Sequence, residues 1–498
     1  MENLKKDDII ELVIDDIGAE GNGVGRINGE YVVFVPGTVP GDKVKAKIKK
    51  KKKKFSESTL LEILEPSEFR VKPRCEYFGI CNGCKMQQVD YGKQLALKQT
   101  IVKNAFERIG GFENIVIPPV IGSEDHYFYR NKLEFSFGSQ RWLTAEDMQK
   151  DNVERNFALG YHIPGFYEKI LDITECSLQS ELSNKILNLT REFFKSKGTT
   201  VYSTKTHSGY LRFLTVRRAV NNSGLMVNLI TYDSNPGLIS EYADLLIKEI
   251  PEITTFVNSH TESKAQVALA DNFNVIFGDG YIEEKIGSYK FKITPNSFFQ
   301  TNSKQCKTLF ETAADMAQFN GGENVLDLYC GCGAISLYIS GKVNSVHGVE
   351  LSRESIEMAN ENALLNNVNN CTFRDMDVKD YLAELTGNIG GKNNVTSPPA
   401  PIPKEEGSNT SEISDTGLKF DIIILDPPRS GIHPKAAEYL LQYEAEKLIY
   451  VSCNPATQAR DISLLREKYE ITAVRPVDMF PHTFHIENVV RLELRKRP

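Results

Sequence analysis

No apolar run in the chain approaches the roughly 20 residues that a bilayer-spanning helix requires, so a transmembrane helix is not expected. The first residues, MENLKKDDIIELV, mix acids with bases and lack the apolar core of a secretory signal. A cytoplasmic location is the expectation. An excess of positive charge is also missing: 59 Lys and Arg face 66 Asp and Glu, a net charge of -7. Any nucleic-acid partner must therefore be met by a local patch, because the molecule as a whole is acidic. There are nine cysteines, an odd number, and with no secretion signal a disulfide framework is not expected. Cysteines that cluster are better read as metal ligands or catalytic groups. No internal repeat is found.

What is present is a globular composition, 41% hydrophobic and 25% charged. At ~150 residues per domain, 498 residues suggest three domains. Residues 1–66 read as short strands (IIELVIDDI, YVVFVPG, DKVKAKI, STLLEILE) broken by GAEGNGVGRINGE and PGTVPGD, which suggests a small β-barrel. The stretch KVKAKIKKKKKKF places nine lysines between Lys43 and Lys54. It is either a solvated ribbon or a contact for RNA or DNA phosphates, which such a run serves without sequence preference.

Residues 67–293 read as mixed α+β, with a helical pattern over about 91–110 that can pack on the last domain. In that domain, residues 294–498, the strand-like runs NVLDLY, SVHGVE, FDIIILD and LIYVS alternate with helix-like runs. This is the pattern of a doubly wound, Rossmann-like α/β sheet. A Gly-, Pro-, Ser- and Asn-rich stretch at 387–417 interrupts it and is expected to be a disordered insertion.

Chemistry concentrates in the last region. NVLDLYCGCGAISLYIS is a strand, a loop with Gly331 and Gly333, and a helix start, a frame in which backbone N–H groups can meet a ligand. Glu350 ends the next strand, where an acid can accept from ribose hydroxyls. A nicotinamide dinucleotide and S-adenosylmethionine both fit, and so does a Gly-rich turn with no ligand. The dinucleotide pattern wants a third glycine, where this chain has Ser336. FDIIILDPPRSG ends a strand with Asp426-Pro427-Pro428-Arg429, a rigid turn of a kind that recurs in methyltransferases acting on planar bases. Amino-methylating types carry a stacking aromatic where Arg429 stands.

Cys453, in EKLIYVSCNPAT, ends a further strand. It can be plain packing. Alternatively its thiolate adds to carbon 6 of a pyrimidine, makes carbon 5 nucleophilic, and leaves after a base removes the carbon-5 proton. Glu487, flanked by His482 and His485, is the candidate base. Cys75, Cys81 and Cys84 form a C-x5-C-x2-C pattern, with Cys176 a possible fourth member. On spacing alone, zinc, an iron–sulfur cluster and chance clustering all remain open.

The motifs NSFFQTN (296–302), LDLYCGCG (326–333), ILDPPRSG (424–431), YVSCNP (450–455) and FPHTFHIE (480–487) resemble, in this order, those of the RNA 5-methyluridine methyltransferases. The likeness covers almost the whole chain and is nearest to the branch that methylates 23S ribosomal RNA. It implies Cys453 as nucleophile and Glu487 as base. It also implies an S-adenosylmethionine site of Gln300, Tyr329, Glu350, Asp377 and Asp426. YRNKLEF (129–135) resembles a stretch near the target base, with Arg130 as an RNA contact. The first domain resembles a TRAM domain, which favours RNA for the lysine patch. The same likeness implies a 4Fe–4S cluster on Cys75, Cys81, Cys84 and Cys176, with a structural role and zinc as the alternative. A monomer acting on structured RNA is expected, ribosomal first and transfer RNA second. The rivals are an amino methyltransferase and an RNA-binding iron–sulfur protein without activity.

Overall fold

A computed structural model describes residues 4–18, 20–81, 83–270, 272–388 and 419–496. From residue 389 onward, the expected insertion at 387–417 lies outside the described residues. No described helix is long and apolar enough to cross a membrane. The chain divides into two compact units. One comprises Met1–Thr312, Cys453–Ala456 and Val474–Val489; the other comprises Ala313–Ser452, Thr457–Ala473 and Val490–Pro498.

The first unit begins with a closed barrel of five strands: β1 (Ile9–Ile17), β2 (Gly23–Ile27), β3 (Tyr31–Val35), β4 (Lys43–Lys51) and β5 (Phe55–Glu65), in the order β1-β2-β3-β5-β4. Alternation builds it. In β4, Val44, Ala46 and Ile48 are fully buried with Val33 and Val35, while the intervening lysines face outward. Lys49 to Lys54 are all exposed, so the lysine run lies in solvent where β4 turns into β5. Closure pairs every strand on both sides.

Helix α1 (Tyr91–Arg108) comes next in the chain; Asp90 caps it by accepting from the Lys93 N–H at 3.2 Å. Then come β6 (Lys132–Gly138), β7 (Arg141–Trp142), β8 (Ala158–Ile163), β9 (Phe166–Asp172), α2 (Glu181–Ser196), β10 (Leu211–Arg218), β11 (Leu225–Thr231), α3 (Pro236–Glu249), β12 (Thr255–His260) and β13 (Asn272–Phe277). The strands make one eight-stranded sheet, β13-β12-β11-β10-β6-β8-β9-β7. A continuous apolar core including Phe135, Phe194, Leu214, Tyr242 and Phe256 joins this sheet to α2 and α3. The hairpin β14 (Ile282–Ile286) and β15 (Tyr289–Ile293) leads on to α4 (Ser303–Ala317).

The remaining elements are β16 (Asn324–Leu328), α5 (Ala334–Ser340), β17 (Ser345–Glu350), α6 (Arg353–Leu365), β18 (Cys371–Asp375), α7 (Val378–Leu385), β19 (Ile422–Leu425), α8 (Pro434–Tyr443), β20 (Lys447–Ser452), α9 (Pro455–Leu465), β21 (Tyr469–Val477) and β22 (Glu487–Leu494). They form a seven-stranded sheet, β18-β17-β16-β19-β20-β22-β21, with β16 to β20 mutually parallel. Ile422 to Leu425 and Leu448 to Val451 are buried throughout, as expected of a sheet covered on both faces. From β16 the strand order runs outward in both directions, so a topological switch point lies between β16 and β19. In such sheets ligands bind at the carboxyl ends of the strands beside that point.

Candidate active site

In sequence order, the parallel strands end at Leu328, Glu350, Asp375, Leu425 and Ser452. The expected site residues Tyr329, Glu350, Asp377, Asp426 and Cys453 each fall at such an end or within two residues beyond it. Scattered over nearly a hundred positions, Tyr329, Glu350, Asp377 and Asp426 fall at the same end of the second unit's parallel strands.

The second unit holds Tyr329, Glu350, Asp377 and Asp426. The Gly331 N–H reaches Glu350 Oε2 at 3.4 Å, and Glu350 Oε1 accepts from the Ser352 N–H at 3.0 Å. The carboxylate is thus held at the loop that carries the glycines. Gly331 has φ 54°, and a Cβ there would meet nothing within 4 Å. The loop therefore opens onto free space where a ligand can approach the backbone closely. At Gly333, φ 77°, a Cβ would press on the Phe373 ring and Ala359 instead. Asp377 caps α7, accepting from the Lys379 N–H at 2.9 Å. Burial pushes the Tyr329 hydroxyl up, and the nearby charges of Asp377 and Glu350 add to this.

Asp327, which none of the expected site residues includes, is fully buried in β16. Its Oδ2 accepts from Ser336 Oγ at 2.5 Å, while Oδ1 has no hydrogen-bond partner among the described residues. Burial pushes this carboxyl up to about 7. Asp426 is shifted in the same direction, by burial first and then by the charge of Asp327. Two under-compensated carboxylates at a switch point favour a cationic ligand. The only signal for Asp327 in the sequence is one acid inside the apolar run NVLDL. The turn after Asp426 is held from α9: Asp461 Oδ2 accepts from the Ile432 N–H at 2.9 Å and from Tyr450 Oη at 2.7 Å.

The first unit holds Gln300, Cys453 and Glu487. Asn131 Nδ2 donates to the Gln300 carbonyl at 2.8 Å and to Ser303 Oγ at 2.8 Å. Cys453 is half-buried and Glu487 only 4% exposed. His482 has φ 66°, and burial lowers its imidazole pKa to about 4, so the ring is neutral near pH 7.

Also in the first unit, Cys75, Cys81, Cys84 and Cys176 line a single cavity of about 520 Å³ together with Arg130 and Tyr161. Burial raises all four thiols, Cys81 and Cys84 to about 12. Arg130 Nε is buried there without a hydrogen-bond partner among the described residues, while the Tyr161 hydroxyl bonds to Cys176. Among those residues, no three His, Cys, Asp or Glu side chains converge as ligands of one metal ion. Four soft donors, one already bonded by the Tyr161 hydroxyl and with the unused Arg130 N–H beside them, suit a thiolate-bound metal centre.

Known proteins align along the full chain. A tRNA (uracil-5-)-methyltransferase family model matches residues 261–495, and a TRAM domain model matches residues 6–61. An RNA methyltransferase of Bacteroides thetaiotaomicron is 37% identical over 96% of this chain and 100% of its own. One from Chlorobaculum tepidum is 37% identical over 98% of this chain and 97% of its own. The structure of the Pyrococcus abyssi tRNA (uracil-54, C5)-methyltransferase with S-adenosyl-L-homocysteine aligns at 26% identity and a TM-score of 0.71. It covers 97% of this chain and all of that one. The chain belongs to the S-adenosylmethionine-dependent RNA uracil-5-methyltransferases that carry an N-terminal TRAM domain.

Proposed function

We propose that the protein methylates carbon 5 of a uridine in structured RNA through a covalent adduct at Cys453. The observation that carries this reading is the placement of Tyr329, Glu350, Asp377 and Asp426 at successive strand ends of the second unit, with Cys453 the residue that directly follows β20 in the chain. Glu487 opens β22, inside the same sheet order.

Bound S-adenosylmethionine supplies an electrophilic methyl group on a sulfonium. Glu350 lies where it can accept from the ribose hydroxyls, and Asp377 and Tyr329 line the same end of the sheet. Asp327 and Asp426 give the site the negative character that a cation needs. Gln300 completes the proposed set.

The Cys453 thiolate adds to carbon 6 and forms a C–S bond, moving the electron pair of the 5,6 double bond onto carbon 5 and its conjugated carbonyl. Carbon 5 would take the methyl group as the S–CH3 bond breaks, its electron pair staying on the sulfur, which leaves as a neutral thioether. The Glu487 carboxylate then removes the carbon-5 proton; the electrons left behind reform the double bond and expel the thiolate.

The four-cysteine cavity is proposed to hold a 4Fe–4S cluster. Its volume of about 520 Å³ leaves room for a multinuclear centre as well as for a single ion, and the likeness of the Cys motif favours the former. The cluster would brace the loops at 75–84 and 176 and takes no part in the methyl transfer. The exposed lysines 49 to 54 are proposed to hold RNA phosphates.

23S ribosomal RNA is the proposed substrate, on the likeness of the five motifs. Transfer RNA is the second reading, favoured by what the aligned Pyrococcus abyssi enzyme acts on. Labelling each RNA with methyl-tritiated S-adenosylmethionine and digesting it to nucleosides tests the proposal. Labelled 5-methyluridine from one RNA, absent with Cys453→Ala, is the expected outcome. Label in adenosine or guanosine would overturn it.

A further inference from the structure

Within the first unit, four consecutive carbonyls before the proposed base are each taken by a donor from a different part of the chain. Asn302 Nδ2 donates to the Met479 carbonyl at 3.1 Å, and Lys98 Nζ to that of Phe480 at 3.0 Å. Tyr129 Oη donates to the Pro481 carbonyl at 3.1 Å. The His482 carbonyl accepts from the N–H groups of Lys85 and Met86, both at 2.9 Å. Such bonds read the backbone path of the segment and hardly depend on its side chains.

Helix α1 contributes most to this socket. Lys98 and Asp478, both fully buried, pair at 2.6 Å. Tyr91 Oη donates to the other Asp478 oxygen at 3.0 Å. Gln94 Oε1 accepts from the His482 N–H at 3.0 Å, while its Nε2 meets His482 Nδ1 at 3.2 Å. The neutral ring accepts there, and Tyr127 packs on its face at 4.3 Å. From the socket the path continues toward Glu487: Thr483 Oγ1 donates to the Phe480 carbonyl at 2.9 Å and accepts from the His485 N–H at 3.2 Å.

We propose that Lys98, Tyr91 and Gln94 of α1 are positioning residues for Glu487, fixing the 478–485 segment so that its carboxylate meets the carbon-5 proton. The buried Lys98–Asp478 pair is a costly way to hold a loop. Its two charges fix the direction of several hydrogen bonds at once, which apolar packing cannot do. The inference rests on the covalent reading proposed for Cys453 and assigns α1 to one step of it, release of the adduct.

Two RNA substrates separate the steps. With 5-fluorouridine RNA the carbon-5 substituent cannot leave as a proton, so the trapped adduct reports addition and methyl transfer alone. With uridine RNA, turnover also needs Glu487. In Tyr91→Phe, trapping should stay within about twofold of the parent. Turnover should fall roughly tenfold, the effect of one hydrogen bond, and adduct should accumulate on uridine RNA. Lys98→Met should do the same more strongly, with Glu487→Gln as the reference for accumulation. Should Lys98→Met fail to fold, Tyr91→Phe still decides the matter. Unchanged turnover, or trapping and turnover falling together in a folded variant, would overturn the positioning role. If the parent protein traps no 5-fluorouridine RNA at all, the covalent reading itself falls, and this inference with it.

Discussion

Lys98 Nζ donates to Asp478 Oδ1 at 2.6 Å with neither side chain exposed, across a separation of 380 residues. Removing one partner of such a pair strands the other charge, at a cost of about 3–5 kcal/mol. Lys98→Met should therefore lower the urea midpoint markedly at unchanged m-value. Lys98→Met combined with Asp478→Leu should recover much of the loss. With Asp478→Leu measured alone as well, a double variant destabilised by the sum of the two single effects would show that the pair itself contributes little.

His482 gives the fold a pH dependence of known sign. Its native value, about 4, lies below the ordinary 6.5, so the fold favours the neutral ring. The contribution is fully present above 6.5 and is lost as pH falls from 6.5 toward 4, by up to roughly 3 kcal/mol. His482→Gln should flatten that part of the stability curve in urea titrations between pH 4 and 7.

The acids of the second unit run the other way. Asp327, raised to about 7 by burial, favours the protonated form in the fold. Its cost to stability grows as pH climbs from the ordinary 3.8 and is complete above 7. Asp327→Asn should thus raise the urea midpoint above pH 7 and leave it almost unchanged near pH 4. Asp426→Asn, by contrast, should weaken S-adenosylmethionine binding roughly ten- to a hundredfold in calorimetry, the effect of losing a charged hydrogen-bond acceptor. Retained affinity would remove Asp426 from the cofactor site.

Anaerobic reconstitution with iron and sulfide should give about four iron atoms per chain and a broad visible absorption. Replacing Cys81 or Cys176 with Ser should lower both. One zinc per chain after purification, with no iron taken up on reconstitution, would select the alternative metal.

For the lysine run, Lys49→Gln/Lys50→Gln/Lys51→Gln should weaken RNA binding. The slope of log K against log salt should shrink by about two to three, close to one for each phosphate left without its lysine. Methyl transfer at saturating RNA should be unaffected. An unchanged salt slope would make the run a solvated edge.

The parts of the fold that are legible in the sequence are the local ones. The barrel strands and the α/β alternation can be read because each element buries a face whose period is written in its own few residues. In β4, Val44, Ala46 and Ile48 declare an inner face, whereas the pairing of Lys43 with Glu65 and of Lys47 with Asp7 on the outer face is written only in the fold. LDLYCGCG, ILDPPRSG and YVSCNP are legible for a similar reason, since each sits at the end of a strand whose apolar run marks it.

Two features are not legible in this way. Asp327 is a lone acid in a buried strand, and only the fold shows that its Oδ1 lacks a partner among the described residues. The socket around residues 479–482 draws on Asn302, Lys98, Tyr129 and Met86. These are contacts between distant segments, and no local pattern of period two or 3.6 encodes them.

The central claim is that Cys453 bonds covalently to the target uracil. The most direct measurement incubates the protein with S-adenosylmethionine and 5-fluorouridine-substituted 23S or transfer RNA, then applies a denaturing gel and peptide mapping by mass spectrometry. A shifted band with one of the two RNAs, mapping to the peptide that contains Cys453 and absent in Cys453→Ala, is the result predicted. An adduct mapping to another residue, or 5-methyluridine produced at the parent rate by Cys453→Ala, would contradict it.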